Sequence, residues 1–508
     1  MRAILSIREA LARRPQIVLW LIAGYYALAV LLRVLRSEAL ESDEAEQLIQ
    51  SQFLLMGYGR QPPFYNWLQY GVIQSIGPSI LALSLVKNLL LFLTCLFYGL
   101  AARLVLRDMR LVAVAMLGVI SMPMVSVVAQ RDLTHAVATL FSVAVFTYAF
   151  LLAIQRPNLG TYLLAGVAVG LGLISKYNFV IVPLAAVLAV LLERDLRSRV
   201  LDWRLGAAVA VAALICLPHL FWVLSNLNEA TSGTIAAMRE DASGDAVADR
   251  VAGLFAIVTA VLAGGLPMLA FFLIAFRASL PASWRATNQW TRIIGRTILI
   301  CLGLVALIAL GFGASNISEK WLSPFMLLVP LYLCLKIEGA GIDTTMSLER
   351  YLFPVSALAV GAIVYLAAGN VIGPAFGSYS KENWPSGPFI EEVIARHGGS
   401  RPAYVIATDP YLAASARLEL PQAKVVFTGF DQIQTLSGVD LQTGGLVVWP
   451  TEGDAAQLPS YMDQFLQQYG VKAEVLVPST VAVPHLFSWR NDRVTFGYAW
   501  VPAAASGR

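Results

Sequence analysis

A chain of 508 residues with 58% hydrophobic and only 13% charged positions falls well below the roughly 25% charged content of an average soluble domain, which excludes a soluble globule. The net charge of +4 is small and the arginines are scattered through short linkers, so there is no basic stripe of the kind that binds nucleic acid. The cysteines Cys95, Cys216, Cys301 and Cys334 all sit in apolar runs without CxxC or Cys/His spacing and read as small packing residues rather than zinc or redox ligands.

Taken in order, apolar runs near residues 15–33, 79–101, 111–129, 133–154, 160–174, 177–192, 206–224, 251–276, 297–313, 322–336 and 352–370 predict a polytopic α-helical membrane protein with about eleven transmembrane helices. Several runs are shorter than the roughly 20 residues of a perpendicular span. The first follows Arg13 and Arg14 as a signal peptide would, but no small-residue cleavage site follows it, which predicts a retained helix. With the N-terminus cytoplasmic, the inner segments hold basic residues over the outer loops by roughly two to one, the bias that sets orientation. An odd number of spans then puts the C-terminus outside.

After Asn370 hydropathy falls and Gly373, Pro374, Gly377, Pro385 and Pro388 punctuate the chain. Short apolar pieces at 403–407, 424–428, 446–449 and 474–478, with an amphipathic stretch at 458–468, predict a soluble α/β domain over 371–508 beside a membrane module over 1–370.

The first outer loop, residues 34–78, is longer than a hairpin needs, and Leu48, Phe53, Leu54, Leu55, Phe64, Trp67 and Leu68 predict interfacial amphipathic helices within it. Its acidic run Glu41-Ser42-Asp43-Glu44-Ala45-Glu46 has two compatible readings. Ser42 or Asp43 can cap a helix with Glu46 as the capping-box acid. Alternatively, Asp43 and Glu44, just past the first span, meet the low dielectric that tunes a carboxylate toward general-base work.

Asp132, in Gln130-Arg131-Asp132-Leu133-Thr134-His135, lies where the third and fourth spans join outside the membrane. It is either a local salt bridge or cap, or a second functional carboxylate, since charge there is costly unless paired or wet. Lys176 and Lys320 open spans at the same face; each alone reads as a snorkelling anchor. Together, two acids and two lysines at one interface suit binding of a lipid-linked phosphate and activation of a hydroxyl. Lys87, inside the second span, is either a structural pairing or another phosphate contact.

With Asp43-Glu44-Ala45, Gly57-Tyr58, Pro62-Pro63 and a following aromatic, Asp132, Ser175-Lys176-Tyr177, and Lys320-Trp321-Leu322 with Pro324, the chain resembles the bacterial branch of the dolichyl-phosphate-mannose protein mannosyltransferase superfamily. These are membrane glycosyltransferases of the GT-C fold, and the likeness is greatest to those that modify lipid A or lipopolysaccharide with aminoarabinose or galacturonic acid. The resemblance implies a bacterial inner-membrane enzyme with its C-terminus in the periplasm. It would move a sugar from a polyprenyl-phosphate donor to a lipid or glycan acceptor, with inversion. Asp43 would be the base, with Glu44 and Asp132 positioning the acceptor or helping the base; Lys176, Lys320 and Arg131 would hold the donor phosphate; Gln61, Tyr65 and Tyr177 would position substrate. Gln61 stands where many relatives have histidine, so no acid–base role attaches to it, and Lys320 stands where many have arginine, which loses bidentate phosphate geometry. No cofactor is required; acids could hold a divalent metal, though no spacing argues for one. A lipid-linked sugar flippase, which would carry charges along a path within its spans, and a non-catalytic assembly protein are the competing readings.

Overall fold

The computed structural model describes residues 14–239, 244–277, 280–430, 443–451, 456–468 and 476–503. Hydrocarbon offers no hydrogen bonds, so each apolar run satisfies its backbone internally and folds as helix. Among the described residues, eight helices are long and apolar enough to cross a bilayer: Ile17–Arg36, Ile80–Val105, Thr134–Gln155, Arg204–Ser225, Ala246–Phe276, Gln289–Phe312, Glu319–Gly339 and Ser347–Ala375. Met109–Ile120 and Met124–Arg131 form a broken pair bent by 60°, and Leu159–Leu173 and Tyr177–Leu191 are shorter apolar helices. Every run read from hydropathy coincides with a helix, but the expected count resolves into full-length, broken and short helices. The break has a local cause: Pro123 interrupts the helical ladder, and Met124–Val128 continues as a π-turn.

The chain divides into two compact units. One comprises the residues up to Ala29, Leu55–Tyr65 and Lys87–Ile363; the other comprises Val30–Leu54, Asn66–Val86 and the residues from Val364 onward. This partition does not follow a single cut at residue 370, because parts of the first loop share a core with the C-terminal residues. Helix Ser42–Gln50 buries Ala45, Leu48 and Ile49 in the same apolar cluster as Phe389, Ile390, Leu412, Val425 and Phe496. The loop does form two helices, Ser42–Gln50 and Phe64–Ile76.

In the second unit, strands β1 (Tyr404–Ala407), β2 (Lys424–Phe427), β3 (Gly445–Pro450), β4 (Ser479–Pro484) and β5 (Arg493–Val501) form one sheet in the order β2-β1-β3-β5-β4. β1 pairs in parallel with β2 and β3, and β5 pairs antiparallel with β3 and β4. Side chains alternate across a strand, so Val405 and Ala407 enter the core shared with helices Ser386–Arg396, Pro410–Glu419 and Ser42–Gln50. Tyr404 and Ile406 point the other way, onto Met462 and Leu466 of helix Ser460–Gln468. The edge strand β2 is closed by a side chain: the Gln52 amide donates to the Val425 carbonyl at 2.9 Å and accepts from the Val425 N–H at 2.9 Å.

The α/β character and three of the strands agree with the sequence reading. The strand expected at 474–478 does not: 474 and 475 lie outside the described residues, and the strand begins after Pro478, which has no N–H to give a ladder. β5, Ser386–Arg396 and Pro410–Glu419 were not foreseen.

Candidate functional site

Asp43 and Glu44 stand in the first turn of helix Ser42–Gln50. The N-cap is neither Ser42 nor Asp43 but Glu41, and its capping-box partner is Glu44, not Glu46: the Glu41 N–H donates to Glu44 Oε2 at 3.1 Å. Glu44 is 2% exposed. Arg33 grips it through two bonds, Nε to Oε1 at 3.1 Å and Nη2 to Oε2 at 2.6 Å. The same guanidinium donates to the carbonyls of Ser37 at 2.6 Å and Ala39 at 2.9 Å, so one cation fixes both the end of the first helix and the turn that leads to Asp43. Asp43 itself is half-buried. Glu44 is thereby committed to holding this turn.

A second guanidinium–carboxyl contact, Arg36 with Glu382, lies in the same unit. Burial and a hydrogen bond with Glu41 push the Glu382 carboxyl up to about 8, outweighing the opposing pull of Arg36. Between the ordinary carboxylate range and about 8 the folded protein therefore keeps a proton that the unfolded chain has lost, so stability falls as pH rises through that window. Thermal unfolding in detergent from pH 5 to pH 8 is expected to show this decline, and Glu382→Gln, which cannot titrate, to flatten it; an unchanged slope in the variant would assign the decline elsewhere.

The remaining predicted residues belong to the first unit, where several local structures interlock. Residues Tyr58 to Gln61 make a tight turn, with reciprocal backbone bonds of 3.2 Å between Tyr58 and Gln61 and Gly59 at φ +62°, a region glycine enters without steric cost. Gly57 is required by packing, since a Cβ there would lie 2.2 Å from the Trp222 ring. Downstream, the Phe64 N–H donates to the Ile174 carbonyl at 3.0 Å, stitching the Pro62-Pro63 segment to Ser175-Lys176-Tyr177. Tyr65 is buried, its ring 6.1 Å from that of His135.

Arg131 and Asp132 lie at the end of the bent helix pair. Asp132 is extended and half-buried, Arg131 exposed, and Leu133 adopts φ +76°, a left-handed conformation costly for a leucine and often held at working sites. The corner is tied down by Lys87, whose ammonium donates to the Arg131 carbonyl at 3.2 Å, and by Gln130 bonding Asn88 at 3.0 Å. Lys87, left open by its sequence, thus has a structural partner.

Lys176 is half-buried and Lys320 exposed. Asn178 joins their segments: its side-chain amide donates to the Trp321 carbonyl at 3.1 Å. Tyr177 hydrogen-bonds His219 Nε2 at 3.1 Å, and His219 Nδ1 meets the Met56 carbonyl at 2.7 Å. His219 is stacked between Tyr177 and Trp222. Gln61, Tyr65, Arg131, Asp132, Lys176, Tyr177 and Lys320 thus share one unit, whereas Asp43 and Glu44 belong to the other. Sequence reasoning missed His219 and Asn178. Asn178 adjoins a motif residue and was available as a signal; His219, inside an apolar run, offered only its polarity. Chemically, two ammonium groups held on joined segments suit a phosphate diester. Among the described residues, no group of three or more His, Cys, Asp or Glu side chains could hold a metal ion.

The family model described as dolichyl-phosphate-mannose-protein mannosyltransferase matches residues 60–222. The lipopolysaccharide core galacturonosyltransferase RgtB of Rhizobium johnstonii is 41% identical over 95% of this chain and 96% of its own length. RgtA, a lipopolysaccharide core galacturonosyltransferase of the same organism, is 39% identical over 95% and 96%. The crystal structure of ArnT from Cupriavidus metallidurans bound to undecaprenyl phosphate has a similar fold, with a TM-score of 0.56 at 14% identity, covering 94% of this chain and 97% of that one.

Proposed function

Because the chain belongs to the GT-C membrane glycosyltransferases of the dolichyl-phosphate-mannose protein mannosyltransferase superfamily, we propose that it transfers galacturonic acid from a polyprenyl-phosphate donor to the lipopolysaccharide core. The observation that carries this reading is the identity with two lipopolysaccharide core galacturonosyltransferases over nearly the whole chain. Undecaprenyl phosphate in the ArnT structure supports the class of donor.

In the proposed reaction the Asp43 carboxylate accepts the proton of an acceptor hydroxyl as its oxygen attacks the anomeric carbon. The bond from that carbon to the phosphate oxygen breaks, its electron pair leaves with the polyprenyl phosphate, and the anomeric centre inverts. Lys176 and Lys320 neutralise the charge growing on that phosphate, with Arg131 beside Asp132 as a further cation; stabilisation of this kind is commonly the largest contribution in such a site. Glu44 positions the Asp43 turn, Asp132 orients the acceptor, and Gln61, Tyr65 and Tyr177 shape the sugar's surroundings. The reading calls for no cofactor, and it places the enzyme in the bacterial inner membrane with its N-terminus cytoplasmic and its C-terminus periplasmic.

Purified protein given a polyprenyl-phosphate galacturonate and core lipopolysaccharide should yield an acceptor heavier by one uronate in mass spectrometry. Lys176→Ala and Lys320→Ala should each lower kcat/KM for the donor by roughly 10²-fold. Absence of transfer would remove the reaction, and unchanged donor kinetics in both variants would remove the phosphate assignment.

A further inference from the structure

The sheet domain carries a cavity that the proposed chemistry does not use. It has a volume of about 580 Å³, within the roughly 300–1,000 Å³ of small-molecule sites. Its walls follow from two local features. Phe496, Tyr498 and Trp500 alternate onto one face of β5; Phe496 is covered by Phe389 of helix Ser386–Arg396 at 4.8 Å between ring centroids, while Tyr498 and Trp500 stay half-buried. That helix ends at Arg396-His397-Gly398-Gly399-Ser400-Arg401, where Gly398 at φ +68° and Gly399 at φ +80° turn the chain through two left-handed positions closed to most side chains.

The turn delivers Arg396, His397, Ser400 and Arg401 to the cavity beside Tyr498 and Trp500. The His397 ring stacks on Trp500 at 3.9 Å and 15°, and Arg396 bonds Glu392 at 2.8 Å and interacts with Tyr498. Among the described residues no acidic side chain lines the cavity, while Ser400, Thr443 and Ser479 do.

We propose that this cavity binds an acidic saccharide, one whose ring packs against the Trp500 and Tyr498 side while a carboxylate or phosphate on it meets Arg401 and Arg396. Aromatic side chains offer an apolar face with a polar rim, guanidinium matches a carboxylate or phosphate oxygen pair, and the hydroxyls suit a polyol. The inference rests on the proposed function only in naming the source: an acidic part of the glycan acceptor, away from the transferred sugar.

The test uses the full-length protein in detergent, with saturation-transfer NMR read on digalacturonate, on neutral digalactose and on inorganic phosphate as competitor. Digalacturonate is expected to receive saturation and digalactose to receive much less. Arg401→Ala, at an exposed position, should weaken digalacturonate binding at least tenfold, with Arg401→Lys recovering part. Asp43→Asn should leave binding unchanged, so the result is independent of whether transfer occurs. Equal binding of digalactose, indifference to Arg401→Ala, or complete displacement by millimolar phosphate would each overturn the proposal, the last by reducing the cavity to a simple anion hole.

Discussion

If Asp43 is the base proposed above, Asp43→Asn is expected to lower sugar transfer by roughly 10²–10⁴-fold, the usual contribution of a positioned general base, and to leave donor KM near its original value. Asparagine keeps the shape of the carboxylate and the helix is started by the Glu41–Glu44 capping box, so the first turn of Ser42–Gln50 should survive the exchange. Asp43→Glu keeps the base but displaces it by one methylene, and an intermediate rate is expected. The measurement is single-turnover transfer at saturating donor, with thermal unfolding as a control for folding. Near-normal turnover in the asparagine variant would take the base away from Asp43.

Arg33→Ala should have the largest effect on stability. Its guanidinium and the Glu44 carboxylate are 7% and 2% exposed, and removing one partner of such a pair strands the other charge, at a cost of about 3–5 kcal/mol. Two further acceptors are released with it, the carbonyls of Ser37 and Ala39, and Glu44, which accepts from the Glu41 N–H in the box that starts the Asp43 helix, loses its anchor. Transfer should therefore fall with stability. Arg33→Lys keeps the charge without the fork and should recover only part of both. The double exchange Arg33→Met with Glu44→Leu separates the two effects: two apolar side chains can restore stability, whereas the lost turn should keep transfer low. Thermal unfolding of Arg33→Ala at the wild-type temperature would show that the pair contributes nothing net.

What could be read in the sequence follows from what each signal encodes. Hydropathy located the membrane helices because length and apolarity are one-dimensional properties, but it could not show that Pro123 and the π-turn over Met124–Val128 break one of them. Asp132 and Lys176 announced themselves as charges at the ends of apolar runs. The cap of the Asp43 helix is Glu41 rather than Ser42 or Asp43 because the run Glu41-Ser42-Asp43-Glu44 offers several residues able to cap, and Arg33 takes Glu44, the box partner, as its own partner. The role of the residues after 370 was hidden for another reason: the core that joins Leu48 to Phe389 is assembled from segments too far apart in the chain for any periodicity to connect them.

The Gln52 amide that completes the edge of β2 joins positions 373 residues apart. Inheritance between relatives is constrained accordingly. A crossover near residue 370 would bring a new sheet to a helix whose Ala45, Leu48 and Ile49 had been selected against another surface, and would replace the backbone that Gln52 completes. The unit of exchange is therefore discontinuous: Val30–Leu54 and Asn66–Val86 must travel with the residues from Val364 onward. Recombination that respects this grouping preserves the setting of Asp43, while a chimaera built on the visible change of composition disrupts it, even with every proposed catalytic residue in place.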